Sequence, residues 1–224
     1  MAKVICLMGE SGSGKTTSLR NLPPEESLII DCDGKGLSWK GWKSQYNTEN
    51  KNYIKTDEAE KVLNIMMRIN GVDLFTGEVV ENPLPDVRYL IIDTLNGIMV
   101  ADEMKRLKEK GYDKWQDLAM SVYNIVKYAN KLRDDLTVIF TAHTETVNED
   151  NGYTFTRIKT SGRKLTKINL ESMLTTVLYA KCVDGRYLFE TQSNNSTAKS
   201  PLGAFEDFEI ENDIVKVIKA LEEF

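Results

Sequence analysis

The sequence predicts an α/β protein: a mostly parallel central sheet flanked by helices, with an antiparallel hairpin added towards the C-terminus. Three observations carry this. Short apolar runs of buried-strand type, each ending near a polar residue, alternate with helical stretches over residues 3–143. The first run, Val4-Ile5-Cys6-Leu7-Met8, leads straight into Gly9-Glu10-Ser11-Gly12-Ser13-Gly14-Lys15-Thr16, a glycine-rich turn between strand and helix. Beyond residue 150 the alternation gives way to two β-type runs, 173–182 and 186–192, flanking Asp184-Gly185, a two-residue hairpin signal.

In chain order, strands are expected at 3–8, 27–31, 88–93 and 136–142. Helices are expected at 15–22, 57–70, 95–110 and 114–134. Asp57 followed by Glu60 has the form of a capping box for the second helix. Leu118, Val122, Ile125, Val126, Ala129 and Leu132 form a one-face stripe on the fourth, which reads as packing against the sheet. Strand–helix alternation implies right-handed crossovers, and ligands of such sheets sit beyond the carboxyl ends of the strands. A terminal amphipathic helix covers 214–221, and the segment 71–87, with two glycines and two prolines, reads as a surface excursion. Trp39 and Trp42, among lysines after the second strand, read as packing anchors. One domain is expected over 1–224: a core at 3–143, a basic loop at 144–168, and the hairpin and last helix at 169–224.

Composition narrows the classes. The chain is 41% hydrophobic and 28% charged, the balance of a globular protein. No apolar run approaches the ~20 residues of a membrane span, and the first strand begins too early to leave room for a signal peptide. Cys6, Cys32 and Cys182 are far apart and odd in number, which suits reduced thiols in the cytoplasm. A single histidine and no cysteine pair argue against zinc. A net charge of −5 opposes nucleic-acid binding by the whole surface but leaves room for a local basic patch.

The glycine turn has the spacing G-x-x-x-x-G-K-[ST] of a phosphate-binding loop. Glycines let backbone N–H groups curl around phosphate oxygens, and a following helix would add its positive end. Residues Gly9, Glu10, Ser11, Gly12, Ser13, Gly14, Lys15, Thr16 and Thr17 are therefore the candidate nucleotide contacts. Lys15 is expected to reach the β- and γ-phosphates and the Thr16 hydroxyl to ligate Mg²⁺. Tyr89-Leu90-Ile91-Ile92-Asp93 is an apolar strand ending in an acid, so Asp93 is the second candidate magnesium ligand; otherwise it caps the next helix. Thr94, not a second acid, follows it. A water-activating base must then come from elsewhere, and Asp33, in Asp31-Cys32-Asp33-Gly34 past strand 2, is the candidate, unless Asp31 or Asp33 only shapes the turn. His143, at the end of Val138-Ile139-Phe140-Thr141-Ala142-His143, is the candidate γ-phosphate sensor, against the plainer role of a hydrogen-bonded strand end.

This set resembles the RecA-like P-loop ATPases, and most closely the short phage-encoded RecA-like ATP-binding proteins, some of which are single-strand annealing recombinases. The resemblance covers roughly 3–200. It implies ATP and Mg²⁺ as cofactors, Lys15, Asp33 and His143 as the catalytic set, and residence in the cytoplasm of a phage-infected or prophage-carrying bacterium. It also implies single-stranded DNA as partner, with a homo-oligomer and a single-strand-binding protein as further partners, and no membrane. Three departures stand out: Asp33 in place of Glu, His143 in place of Gln, and Ala198-Lys199-Ser200-Pro201, which keeps the lysine of a trans-acting Lys-x-Arg and loses the arginine.

In RecA-like proteins the loop after strand 4 contacts DNA. Here its second half carries Arg157, Lys159, Arg163, Lys164 and Lys167 without an acid, with Tyr153 and Phe155 upstream. Basic residues neutralise phosphates and aromatic faces stack bases; the plain alternative is a solvated hairpin. Two other functions stay open: a nucleotide-gated interaction module in replication or packaging, and a small-molecule kinase, for which only Arg157 and Arg163 could serve a lid. No Asn-Lys-x-Asp motif supports a GTPase.

Overall fold

The computed structural model describes all residues except 75, 82, 107–112, 150–151 and 161–168. Ten strands are present among the described residues: β1 Lys3–Met8, β2 Ser27–Asp31, β3 Tyr53–Lys55, β4 Tyr89–Asp93, β5 Thr137–Ala142, β6 Thr144–Asn148, β7 Thr154–Ile158, β8 Thr176–Val183, β9 Arg186–Glu190 and β10 Glu209–Glu211. The helices are α1 Trp42–Gln45, α2 Ala59–Asn70, α3 Leu95–Lys105, α4 Asp113–Ala129 and α5 Ile214–Glu222.

Eight strands form one sheet in the order β10-β9-β8-β1-β5-β4-β2-β3. From β8 to β3 every pairing is parallel; β8–β9 and β9–β10 are antiparallel. The expected hairpin is therefore present, but it continues the main sheet through β8 and is not an appendage. Asp184 and Gly185 both take positive φ, 50° and 77°, the backbone that lets a two-residue turn follow the twist of its strands. The strand expected at 173–182 begins at Thr176, because 170–173 form a 3₁₀ turn.

Alternation along the strands builds two cores. Val4, Cys6 and Met8, with Leu90, Ile92, Val138 and Phe140, pack against α2, α3 and α4. Ile5, Leu7, Ile29, Ile91 and Ile139 face the other way, against Leu19, Tyr46 and the apolar side of α5. On α4 the described members of the predicted stripe, Val122, Ile125, Val126 and Ala129, are fully buried, as is Leu132 just beyond its end. This three-layer arrangement leaves the carboxyl ends of β1, β2, β4 and β5 at one edge. The register fixes that edge: Asp31 lies beside Asp93, and Leu7 beside Thr141.

Two local expectations fail. The helix expected at 15–22 is only a 3₁₀ turn, Thr17–Asn21. Pro23 forces Leu22 into extended backbone, with ψ 142°, and Thr16-Thr17-Ser18 are weak helix formers, so no α-turn propagates. The capping box at Asp57 does not form either. Helix α2 starts at Ala59, its N-cap position is Glu58 without a side-chain cap, and Asp57 instead pairs with Lys105 at 3.4 Å. The helix expected at 95–110 is described to Lys105; its remainder lies outside the described residues.

Candidate nucleotide site

The chain leaves β1 at Gly9, whose N–H donates to the Ala142 carbonyl at 3.0 Å, so the phosphate loop starts pinned to the end of β5. A side chain at Gly9 would run into the Ser13 hydroxyl and the Ala180 carbonyl. Gly14 has φ +95°, and a Cβ there would meet Tyr187 at 2.8 Å and both amide atoms of Asn212 at 3.1 Å. These two glycines are set by close approach and by left-handed backbone. With only one 3₁₀ turn after the loop, little helix dipole reaches it; its positive character comes from N–H groups and Lys15.

Lys15 is buried, and its Nζ donates to the carbonyls of Gly9 at 2.8 Å and Glu10 at 2.7 Å. Burial pushes its pKa down to about 8, partly opposed by the Asp93 carboxylate. The Thr16 hydroxyl donates to Asp93 Oδ2 at 2.9 Å, and the Thr141 hydroxyl donates to Asp93 Oδ1. Asp93 is fully buried, and burial raises its pKa despite the two hydroxyls. A buried carboxylate beside a hydroxyl is an oxygen donor set for a hard cation, and Mg²⁺ takes one or two protein oxygens, completing its shell from phosphates and water. The residues fit the ion on that ground, and Asp93 does not cap α3; Thr94 does, its side chain accepting from Gly97 N–H at 3.1 Å.

The turn after β2 separates its two aspartates. Both Asp31 oxygens are committed: Oδ1 accepts from Gly34 N–H at 2.8 Å, and Oδ2 from Gly36 N–H at 2.8 Å and the Tyr53 hydroxyl at 2.5 Å. Asp31 shapes the turn. Asp33 faces the rim, where Oδ1 accepts from the Thr94 hydroxyl at 3.1 Å and Oδ2 pairs with Lys35 Nζ at 2.6 Å. Trp42 packs on Gly36 and on Tyr53, and Trp39 meets Tyr46 edge to face, so both tryptophans are the packing anchors expected.

His143 closes the far side. Burial, then the Lys15 charge, lowers its pKa, so the ring is neutral at pH 7. Its backbone N–H donates to Asn96 Oδ1 at 2.7 Å, while Asn96 Nδ2 donates to the Lys159 carbonyl at 2.8 Å. Lys159 N–H returns to the His143 carbonyl at 2.7 Å. One asparagine in the first turn of α3 thus ties the end of β5 to the exit of the β6–β7 hairpin. Together Ser11–Thr17, Lys35, Ser38, His143 and Tyr187 line a cleft of about 360 Å³. Thr17 shares a hydrogen bond with Ser38 at 2.8 Å, and the buried Ser13 hydroxyl has no protein partner, an orphan that a phosphate oxygen suits.

Not every predicted site residue joins this cleft. Lys199 pairs through its backbone with Val177 on β8. Arg157 is bound to Glu145 across the hairpin at 2.9 Å, and Tyr153 stacks on Phe155 at 5.8 Å between centroids. Arg163, Lys164 and Lys167 lie outside the described residues. Sequence reasoning missed Lys35, Asn96, Thr141 and Tyr187. A lysine between two glycines, two residues beyond the candidate base, was the signal for Lys35; nothing local marked Tyr187, which arrives from the hairpin 173 residues after Gly14.

Comparison with solved structures finds the P4 protein from bacteriophage phi6 in complex with ADP, at 14% identity and a TM-score of 0.39, covering 84% of this chain and 55% of that one. The chain thus spans about half the length of that protein. No curated protein matches. A family model described as an AAA domain matches residues 1–202, which include the phosphate loop, Asp33, Asp93 and His143. The chain therefore belongs to this AAA domain family of nucleotide-binding P-loop proteins.

Proposed function

We propose that this chain is a Mg²⁺-dependent ATPase of RecA type that binds single-stranded DNA in phage-type recombination or annealing. The observation that carries the reading is the convergence at one sheet edge of Lys15, the 2.9 Å Thr16–Asp93 pair and Asp33. Thr16 and Asp93 would hold the ion, which when bound neutralises charge on the β- and γ-phosphate oxygens. Lys15 exchanges its two carbonyl acceptors for phosphate oxygens. Asp33, released from turn-shaping by Asp31, orients the attacking water and takes its proton. His143, neutral, donates a ring N–H to the terminal phosphate. The choice of ATP over GTP rests on the RecA resemblance.

The DNA arm rests on the Asn96 link. A shift of His143 towards the terminal phosphate pulls on Asn96 and so on Lys159, the first residue after β7. The basic segment continues directly from there. A homo-oligomer would give Lys199 a neighbour's nucleotide to reach, and a single-strand-binding protein remains a proposed partner. The test is ATP turnover with and without single-stranded DNA, beside a salt titration of DNA binding. Turnover stimulated by DNA, with affinity falling steeply as salt rises, is expected. DNA-independent turnover with no binding at low salt would remove the DNA arm and leave a nucleotide-gated interaction module. The Arg157–Glu145 pair favours that second reading, since it neutralises one of the hairpin's cations.

A further inference from the structure

Lys35 has no role in the turnover proposed for Lys15, Asp33 and His143. It lines the nucleotide cleft with Lys15 and His143, and its side chain is about half exposed, so no packed core holds it to one rotamer. The turn that carries it is not. Asp31 clamps Gly34 N–H and Gly36 N–H, Lys55 Nζ reaches the Gly34 carbonyl at 3.2 Å, and Trp42 seals Gly36. A fixed backbone therefore presents a carboxylate and an ammonium side by side at the rim. In this state both Asp33 oxygens are engaged, one by Thr94 and one by Lys35 at 2.6 Å. A carboxylate with both oxygens already bonded is poorly placed to take a water as a further partner. A triphosphate in the cleft brings more negative charge than Asp33 and competes for the same ammonium.

We infer that Lys35 is a second phosphate-binding cation and a latch on Asp33: it holds the carboxylate while the cleft lacks a terminal phosphate, and transfers to that phosphate when a triphosphate binds, freeing Asp33 to hold water. This rests on the proposed roles of the phosphate loop and Asp33. It makes Lys35 a discriminator between triphosphate and diphosphate, since only the former offers the third phosphate.

The test is calorimetric affinity for Mg-ATP and Mg-ADP on the full chain. Asp33→Asn removes the negative charge that competes for Lys35 and should tighten Mg-ATP about threefold or more, with Mg-ADP unchanged. Lys35→Met should weaken Mg-ATP about tenfold, the size of one lost charge-assisted hydrogen bond, and again spare Mg-ADP. In the double variant the gain from Asp33→Asn should vanish, and Lys35→Arg should keep the preference for triphosphate. An unchanged ATP-to-ADP ratio in both single variants, with only thermal stability reduced, makes the pair structural and overturns the latch. A gain in Mg-ATP affinity that persists without Lys35 also overturns it. Wild-type protein that takes up no Mg-nucleotide would sink the proposed function itself; intact uptake without the Asp33→Asn gain sinks only the latch.

Discussion

The strand-end cleft and the β6–β7 hairpin share one short boundary at His143 and Lys159, yet they are built on opposite principles. In the cleft the central charged groups are each held by several protein partners: Asp93 by two threonine hydroxyls, Asp31 by two amides and a phenol, Lys15 by two carbonyls. Low local dielectric makes those groups strong and makes each loss expensive. In the hairpin the polar groups are partly to fully exposed, and the Arg157–Glu145 pair is a single, partly buried ion pair with no network around it among the described residues. The cleft is pre-organised chemistry; the hairpin is an adjustable surface. Loss of a buried charged group in the first should act in steps of tenfold or more, and changes in the second in factors of a few.

The largest effect belongs to Lys15→Ala. Removing the cation that faces the polyphosphate should weaken Mg-ATP by about 100-fold or more, in line with truncating a buried charge pair, and turnover should go with it. Equilibrium binding of Mg-ATP checks this. Near-normal affinity would show that the loop does not cradle phosphate, and the contrast between cleft and hairpin would collapse.

Gly14→Ala comes next and tests packing instead of charge. A residue at φ +95° costs about 1–3 kcal/mol in strain, to which the 2.8 Å approach of Tyr187 adds a clash. Thermal unfolding should show the loss, and Tyr187→Ala in the same chain should restore the steric share but not the backbone share. No recovery in the double variant would mean that Tyr187 does not press on the loop.

The same two regions differ in how far the sequence disclosed them. Strands β1, β2, β4 and β5 were visible because buried parallel strands are continuous apolar runs, and the loop was visible because its spacing is tied to backbone chemistry. The split between Asp31 and Asp33 was not, because both lie at the same strand end and only the Gly34 and Gly36 amides show which one turns the chain. The helix expected after the loop is absent for a local reason, Pro23, which holds Leu22 in extended backbone. Asn96 was invisible for another reason: its partners, His143 and Lys159, are 47 and 63 residues away.

An intermediate effect follows from the burial of Lys15. Its proton is needed to meet phosphate, and burial holds its pKa near 8, well below that of a free lysine. In the nucleotide-free protein the ammonium form therefore dominates below pH 8 and is lost as pH rises through it. Bound phosphate favours the charged form, so binding takes up a proton on the alkaline side. Mg-ATP affinity should be flat towards pH 6 and fall about tenfold between pH 7 and pH 9 from this group. Calorimetry in buffers of different ionisation enthalpy would detect the proton uptake at pH 8.5. A flat profile to pH 9.5 would mean that Lys15 stays charged in the empty cleft, and that the cleft is wetter than its burial implies.

The smallest effect concerns Arg157, and it separates the two surviving readings of the hairpin. Glu145 now neutralises that arginine. Glu145→Gln frees the charge without altering the side chain's shape, while Arg157→Ala removes it. Where the hairpin tracks a phosphate backbone, the first should tighten single-stranded DNA binding a few-fold and the second should weaken it and lower the salt slope by about 1. The two should move in opposite directions by similar factors, because each changes the hairpin's charge by one unit, in opposite senses. Where the hairpin serves a protein partner, neither substitution moves DNA affinity. Fluorescence anisotropy of a labelled oligonucleotide across a salt series distinguishes the two. Repeating it with and without a non-hydrolysable ATP analogue asks whether Asn96 transmits the state of the cleft: an Asn96→Ala chain that still binds nucleotide should lose any difference between the two series.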